Sequence, residues 1–157
     1  MANHSWLAEE RDVDEVTALI AAFRDWWGKD VPADESIRAT VRTLLGDPMT
    51  DYLLAAPAPD EAACGVCQLR YRLSVWTGKE DCWLEDLYIL EHARRGGIGR
   101  SLVAAAIDRA RARGCRRIEL DVNEENTAAL DFYRALGFST EPKPPGRTLF
   151  VARRVDP

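Results

Sequence analysis

The sequence predicts an α/β (α+β) fold, with one mixed central β-sheet flanked by helices on both faces and elements in the order ααβββαβαββ. Three observations carry that expectation. Apolar residues recur at helical spacing in some stretches, and alternate or run together in others. Short turns containing Gly and Pro separate these stretches, with no internal repeat, low-complexity tract or linker between them. Near the middle, an extended run feeds a Gly-rich turn that opens a long helix. At 157 residues, the chain is expected to form a single domain over residues 1–157, large enough to bury a core without staples.

Asp12 and Glu15 have the spacing of a capping box. Val16, Leu19, Ile20, Phe23 and Trp27 then lie on one stripe of a helix over 12–27, which Gly28 stops. Pro32 and Asp34 precede a second stripe, Ile37, Val41, Leu44 and Leu45, closed by Gly46 and Pro48. Tyr52 to Ala56, Cys64 to Val75 and Cys82 to Leu90 read as three strands joined by turns at Pro57–Asp60 and Thr77–Lys79. A helix over 98–113 carries Ile98, Leu102, Val103, Ala106, Ile107 and Ala110, with Gly114 at its end. Arg117 to Val122 is a strand. Asn126 opens a last helix ending before Gly137. Phe138 to Thr140 and Thr148 to Arg153 are expected as closing strands around a Pro-rich turn.

The net charge is −5, which disfavours generic binding to nucleic acid or an anionic membrane. No apolar run approaches the ~18 residues of a membrane span. Residues 1–11 are polar, without the apolar core of a signal peptide, so a cytoplasmic location with reduced thiols is expected. Cys64 and Cys67 form a lone C-x-x-C. Their offset of three places them on opposite faces of a strand, and no second pair or His pair completes a metal site. No metal is expected.

Gly96, Gly97 and Gly99 carry the clearest chemical signal. Amides in such a turn approach a diphosphate without Cβ obstruction, and the helix N-terminus adds a favourable partial charge. Arg94, Arg95 and Arg100 supply full charges. Neither Gly-Lys-Ser/Thr nor G-x-G-x-x-G is present, so the turn is neither a P-loop nor a dinucleotide fingerprint. The alternative is a plain helix start that needs a tight turn.

Leu84-Glu-Asp-Leu-Tyr-Ile89 followed by Arg94-x-x-Gly97-Ile98-Gly99 resembles the central R/Q-x-x-G-x-G/A motif of the GNAT family of N-acetyltransferases. Asn126-Thr-Ala-Ala-Leu-Asp-Phe-Tyr133-Arg-Ala-Leu-Gly-Phe138 resembles that family's N-x-x-A-x-x-x-Y-x-x-x-G-F. The resemblance covers most of the chain, from Asp12 to Arg153, and is weakest over residues 24–50. It implies acetyl-CoA as cosubstrate. Leu87 and Ile89 match strand positions whose backbone pairs with the pantetheine arm. Arg94 leads the motif, and Arg95, Gly96, Gly97, Ile98, Gly99 and Arg100 match the groups around the pyrophosphate. Asn126 matches a pantetheine contact and Tyr133 the tyrosine near the CoA sulfur. Arg95 stands where the family often has Gly, and Glu91 where it often has Pro.

Acetyl transfer to an amine needs a neutral amine, oxyanion stabilisation and a proton for the leaving thiolate. A phenol with a pKa near 10 can supply that proton, so the resemblance implies Tyr133 as acid; a packed helix residue is the alternative reading. Leu-Glu-Asp resembles the same stretch of spermidine/spermine and thialysine acetyltransferases, where the glutamate helps bind or deprotonate the amine. This implies such a role for Glu85, through a water, against the alternative of a solvated salt bridge. Strand alternation puts Asp86 on the other face, as a structural residue. Trp26, Trp27 and Trp76 are candidates for the acceptor pocket or the core.

The expected function is transfer of acetyl from acetyl-CoA to a primary amine of a small cationic acceptor, by direct attack in a ternary complex. Acetylation of a protein N-terminus or lysine, and a non-catalytic acyl-CoA-binding module, are the alternatives. Homodimers are common in the resembling family. Charge distribution agrees with an anionic cosubstrate and a cationic acceptor: residues 91–117 carry eight arginines against Glu91 and Asp108, a net +6, leaving −11 for the remainder.

Overall fold

A computed structural model describes residues 3–156. They form two compact units, one running to Leu120 and one beginning at Asp121. The first unit holds a five-stranded sheet in sequential order. Its elements are β1 (His4–Leu7), α1 (Val13–Trp26), α2 (Asp34–Leu45), β2 (Thr50–Ala56), β3 (Gly65–Ser74), β4 (Lys79–Ile89), α3 (Ile98–Ala112) and β5 (Ile118–Glu119). Strands β1 to β4 are antiparallel neighbours and β5 joins β4 in parallel, so the sheet is mixed.

Strand alternation divides the core between the two faces. Tyr52, Leu54, Val66 and Tyr88 pack with Val16, Leu19, Ile37 and Val41 from α1 and α2. Gly65, one residue before Val66, turns the other way. A Cβ built there would lie 2.7 Å from Ile98 Cγ2 and 3.0 Å from Leu102 Cδ1, so α3 rests on the opposite face with its first turn against bare backbone. A Gly65→Ala variant should therefore lose about 1–3 kcal/mol of stability through overpacking. Because Ile98 is β-branched and cannot swing aside, it should also displace the start of α3. Denaturant melts and CoA titration check both effects.

Several expectations need correction. The described chain begins its regular structure with β1, an added strand; four residues with two adjacent large apolar side chains, Trp6 and Leu7, give no alternating pattern, and pairing with β2 defines it. Residues 138–140 and 148–153 form no strand: they are irregular, and Pro142, Pro144 and Pro145 between them lack the N–H a ladder needs. Strand β5 spans two residues rather than six. At the start of α1, Asp12 Oδ2 accepts from Glu9 N at 2.8 Å, while Glu15 Oε1 accepts from Ala63 N at 2.5 Å and ties α1 to the entry of β3. Trp27 falls past the end of α1 and is 59% exposed, so it leaves the core stripe.

The second unit contains α4 (Thr127–Ala135). Asn126 caps it, its side-chain oxygen accepting from Ala129 N at 3.1 Å. Among the described residues, no helix is long and apolar enough to cross a membrane.

Candidate active site

The antiparallel register pairs Gln68 with Asp86 but Leu69 with Leu84, leaving Glu85 as an extra residue in β4. Such a β-bulge bends its strand and releases local pairing. The β4–β5 ladder accordingly stops at Trp83, just before the bulge. Leu87 and Ile89 lie beyond it, on a stretch of β4 whose outer edge has no ladder partner among the described residues. Backbone groups on that edge can pair with an extended ligand.

The bulge also resolves the two acids. Glu85 is exposed. Asp86 is half-buried on the α1/α2 face, in one row with Tyr52 and Gln68 on the adjacent strands. Burial, then the neighbouring Glu85 charge, raises its pKa from 3.8 to about 6. Burial, then the Asp86 charge, pushes the Tyr52 hydroxyl up as well. Strand alternation alone makes Asp86 a structural residue, and its raised pKa departs from that expectation. A cue was present: Leu84 and Leu87 are apolar at an odd spacing that a regular strand would place on opposite faces.

A raised carboxyl pKa has a consequence for stability. The folded value exceeds the unfolded one, so Asp86's contribution is full below about pH 4 and is lost as pH rises through about 6. A shift of this size corresponds to about 3 kcal/mol, reduced by the water that still reaches the side chain. Asp86→Asn should therefore raise the melting temperature at pH 8 and leave it unchanged near pH 4. Thermal melts at the two pH values check this.

The Gly-rich turn follows β4 after one short 3-10 turn, Glu91–Ala93. Arg95 adopts φ 65° and Gly97 φ 83°, the left-handed geometry that turns the chain into α3. Gly97 occupies the N-cap without a side-chain cap, and α3 has no acid in its first turn. The first bond into the helix runs from Ser101 N to Gly97 O at 2.9 Å, so the amides of Ile98, Gly99 and Arg100 precede the ladder. Asn3 Nδ2 donates to Gly96 O at 2.9 Å and would lie 3.0 Å from a Cβ at Gly97. Asn3 thus buttresses the turn from β1's side, a contact 93 residues away that leaves no trace in the sequence.

The arginines divide into two sets. Arg109 pairs with Asp51 at 2.7 Å, Arg113 with Glu80 at 2.9 Å and Arg117 with Asp81 at 3.4 Å, so these bind the scaffold together. Arg95 and Arg100 are exposed beside the turn and make no ion pair among the described residues. Arg94 turns away from the glycines: its Nε donates to Ile89 O at 3.0 Å, and its guanidinium lies over Trp26 and Tyr88. Uncapped amides, a glycine cradle and two unpaired arginines fit a diphosphate. In the second unit, Tyr133 is buried between Phe132 and Phe138 in edge-on contacts.

Burial raises the pKa of all four cysteines, Cys82 to about 12. Such thiols are poor nucleophiles at neutral pH. Among the described residues, no group of His, Cys, Asp and Glu could hold a metal ion.

A family model described as "Acetyltransferase (GNAT) family" matches residues 4–138. Thialysine N-epsilon-acetyltransferase of Sus scrofa is 36% identical over 86 residues, 52% of this chain and 49% of that protein. Aminoglycoside N(6')-acetyltransferase type 1 of Klebsiella aerogenes is 37% identical over 93 residues, 55% of this chain and 59% of that one. The aligned part is thus about half the length of these relatives. A solved structure from Arthrobacter sp. FB24, itself assigned only provisionally as an acetyltransferase, is 28% identical with a TM-score of 0.84, covering 97% of this chain and 96% of that one. An aminoglycoside N-acetyltransferase solved with CoA has a TM-score of 0.75 at 21% identity, covering 98% and 97%, a likeness of fold alone.

Proposed function

The chain belongs to the GNAT acetyltransferase family, and on that premise we propose that residues 1–157 act as one N-acetyltransferase domain on a primary amine of a small cationic acceptor. The observation that carries the proposal is the bulged β4 running into a Gly-rich turn and an uncapped helix start. Acetyl-CoA, bound there, supplies the thioester that carries the acetyl group.

The chain's own groups then divide the work. The Gly96–Arg100 amides, Arg95 and Arg100 hold the pyrophosphate, with Arg94 fixing the turn to β4 through Ile89 O. Leu87 and Ile89 offer backbone groups to the pantetheine arm, and Asn126 is assigned a contact there by family resemblance. The Leu87 amide polarises the thioester carbonyl. Glu85 receives the ammonium proton through a water, so the neutral amine attacks directly in a ternary complex. Asp86, negative above about pH 6, adds attraction for the cation. Family resemblance assigns Tyr133 the return of a proton to the departing sulfur. No group on the chain needs to carry the acetyl covalently.

Names of relatives that act on thialysine and on aminoglycosides favour a small amine over a peptide. Mass spectrometry of products tests this choice. Acetylated diamines, amino acids or aminoglycosides with unmodified peptides are expected, whereas acetylation of peptide N-termini or lysines alone would overturn it. Glu85→Gln should lower turnover about a hundredfold or more with CoA affinity retained, as removal of a general base does. A cytoplasmic location and a homodimer belong to the same proposal.

A further inference from the structure

Two tryptophans stand exposed where α1 ends: Trp26 is 53% and Trp27 59% accessible. Each ring already faces a cation of the chain itself. Arg94 lies 5.3 Å from the Trp26 centroid, and Lys29 Nζ 5.6 Å from that of Trp27. Both distances fall within the range of cation–π attraction. The two cations are not equivalent. Arg94 is fixed by Ile89 O and by the Tyr88 ring. Lys29 sits on a flexible, strongly hydrated stem, and an exposed contact of this kind is weak and readily exchanged.

Trp27 is also tied to the reacting end of β4. Its ring meets Phe23 edge-on at 5.5 Å, and Phe23 stacks on Tyr88 at 5.0 Å. Tyr88 is two residues from Asp86 on the same strand face, about 7 Å away. Through Phe23 and Tyr88 the Trp27 ring is thus linked to Asp86 by two ring contacts and one strand step, a path on the order of 17 Å. Around it the chain carries Asp25, Asp30, Asp34 and Glu35 against Arg24 and Lys29; Arg24 pairs with Asp25 and Asp34, which leaves Asp30 and Glu35 without an ion pair among the described residues, and the C-terminal end of α1 adds partial negative charge.

We propose that the exposed face of Trp27 is a subsite for a second ammonium of the acceptor, with Lys29 as its intramolecular placeholder. The acceptor class is then a compound with two or more separated amino groups: one reacts beside β4 while the other displaces Lys29 from the indole. This rests on the reading that the acceptor is a cationic amine. Trp26 keeps Arg94 and is not part of the subsite.

Steady-state kinetics with diaminooctane and octylamine separate the two ammonium positions. Trp27→Leu is expected to raise KM for diaminooctane about two- to fivefold and to leave that for octylamine unchanged. Trp27→Phe should recover most of the loss, because it restores a ring face. Lys29→Ala should lower KM for diaminooctane only. Equal shifts for both amines in Trp27→Leu, or no shift for either, would overturn the subsite. If the wild type acetylates neither these amines nor any amino acid or aminoglycoside, the amine-acceptor reading fails by itself. Calorimetric binding of diaminooctane then decides the subsite: weaker binding to Trp27→Leu supports it, and equal binding overturns it.

Discussion

A Gly97→Val variant is expected to lose CoA affinity by about a hundredfold while remaining folded. Gly97 sits at φ 83°, where an L-residue costs about 1–2 kcal/mol. A Cβ there would stand 3.0 Å from Asn3 Nδ2, the group that holds Gly96 O. The variant can relieve the strain only by rotating the turn, which re-aims the Ile98, Gly99 and Arg100 amides together. Several charge-assisted hydrogen bonds to the pyrophosphate are lost in one movement, each worth about 1.5–3 kcal/mol. The strain is small against a domain stability of about 5–15 kcal/mol, so the fold survives. Equilibrium titration with CoA, alongside circular dichroism, separates lost binding from lost structure. Wild-type affinity in the variant would show that the turn is only a helix start.

Tyr133→Phe has the second large expected effect: turnover falls by roughly a hundredfold or more, and CoA affinity stays within a small factor of wild type. Phenylalanine preserves the edge-on contacts with Phe132 and Phe138, so the change reports on the hydroxyl alone. Loss of an acid that serves the departing thiolate should depend on the leaving group. A donor with a more acidic thiol should recover part of the rate. Unchanged turnover would return Tyr133 to a packing role.

Much of this was legible in the residues. The stripes over α1, α2 and α3 mark helices close to their observed bounds, because burial of one helical face writes a 3.6-residue period. The Gly-rich turn was legible for a different reason, since left-handed backbone at Gly97 demands a specific residue. The bulge at Glu85 is written only faintly, in the odd spacing of Leu84 and Leu87. Regular alternation makes Asp86 a structural residue, whereas the inserted residue breaks that alternation and the surroundings of Asp86 raise its pKa. Contacts remote in sequence were hidden altogether: Asn3 on Gly96, Glu15 on Ala63 and Arg109 on Asp51 depend on how the chain folds back. The arginines show the same limit. Their block charge was visible, whereas their division into scaffold pairs and the exposed Arg95 and Arg100 was set by neighbours from other strands.

The central claim, amine acetylation from acetyl-CoA, is tested most directly by following free CoA thiol with and without a panel of diamines, amino acids, aminoglycosides and peptides. The account predicts thiol release that requires an amine, saturates with it and matches N-acetyl product mole for mole. Tight CoA binding without thiol release for any member of the panel would contradict it and make the chain an acyl-CoA-binding module.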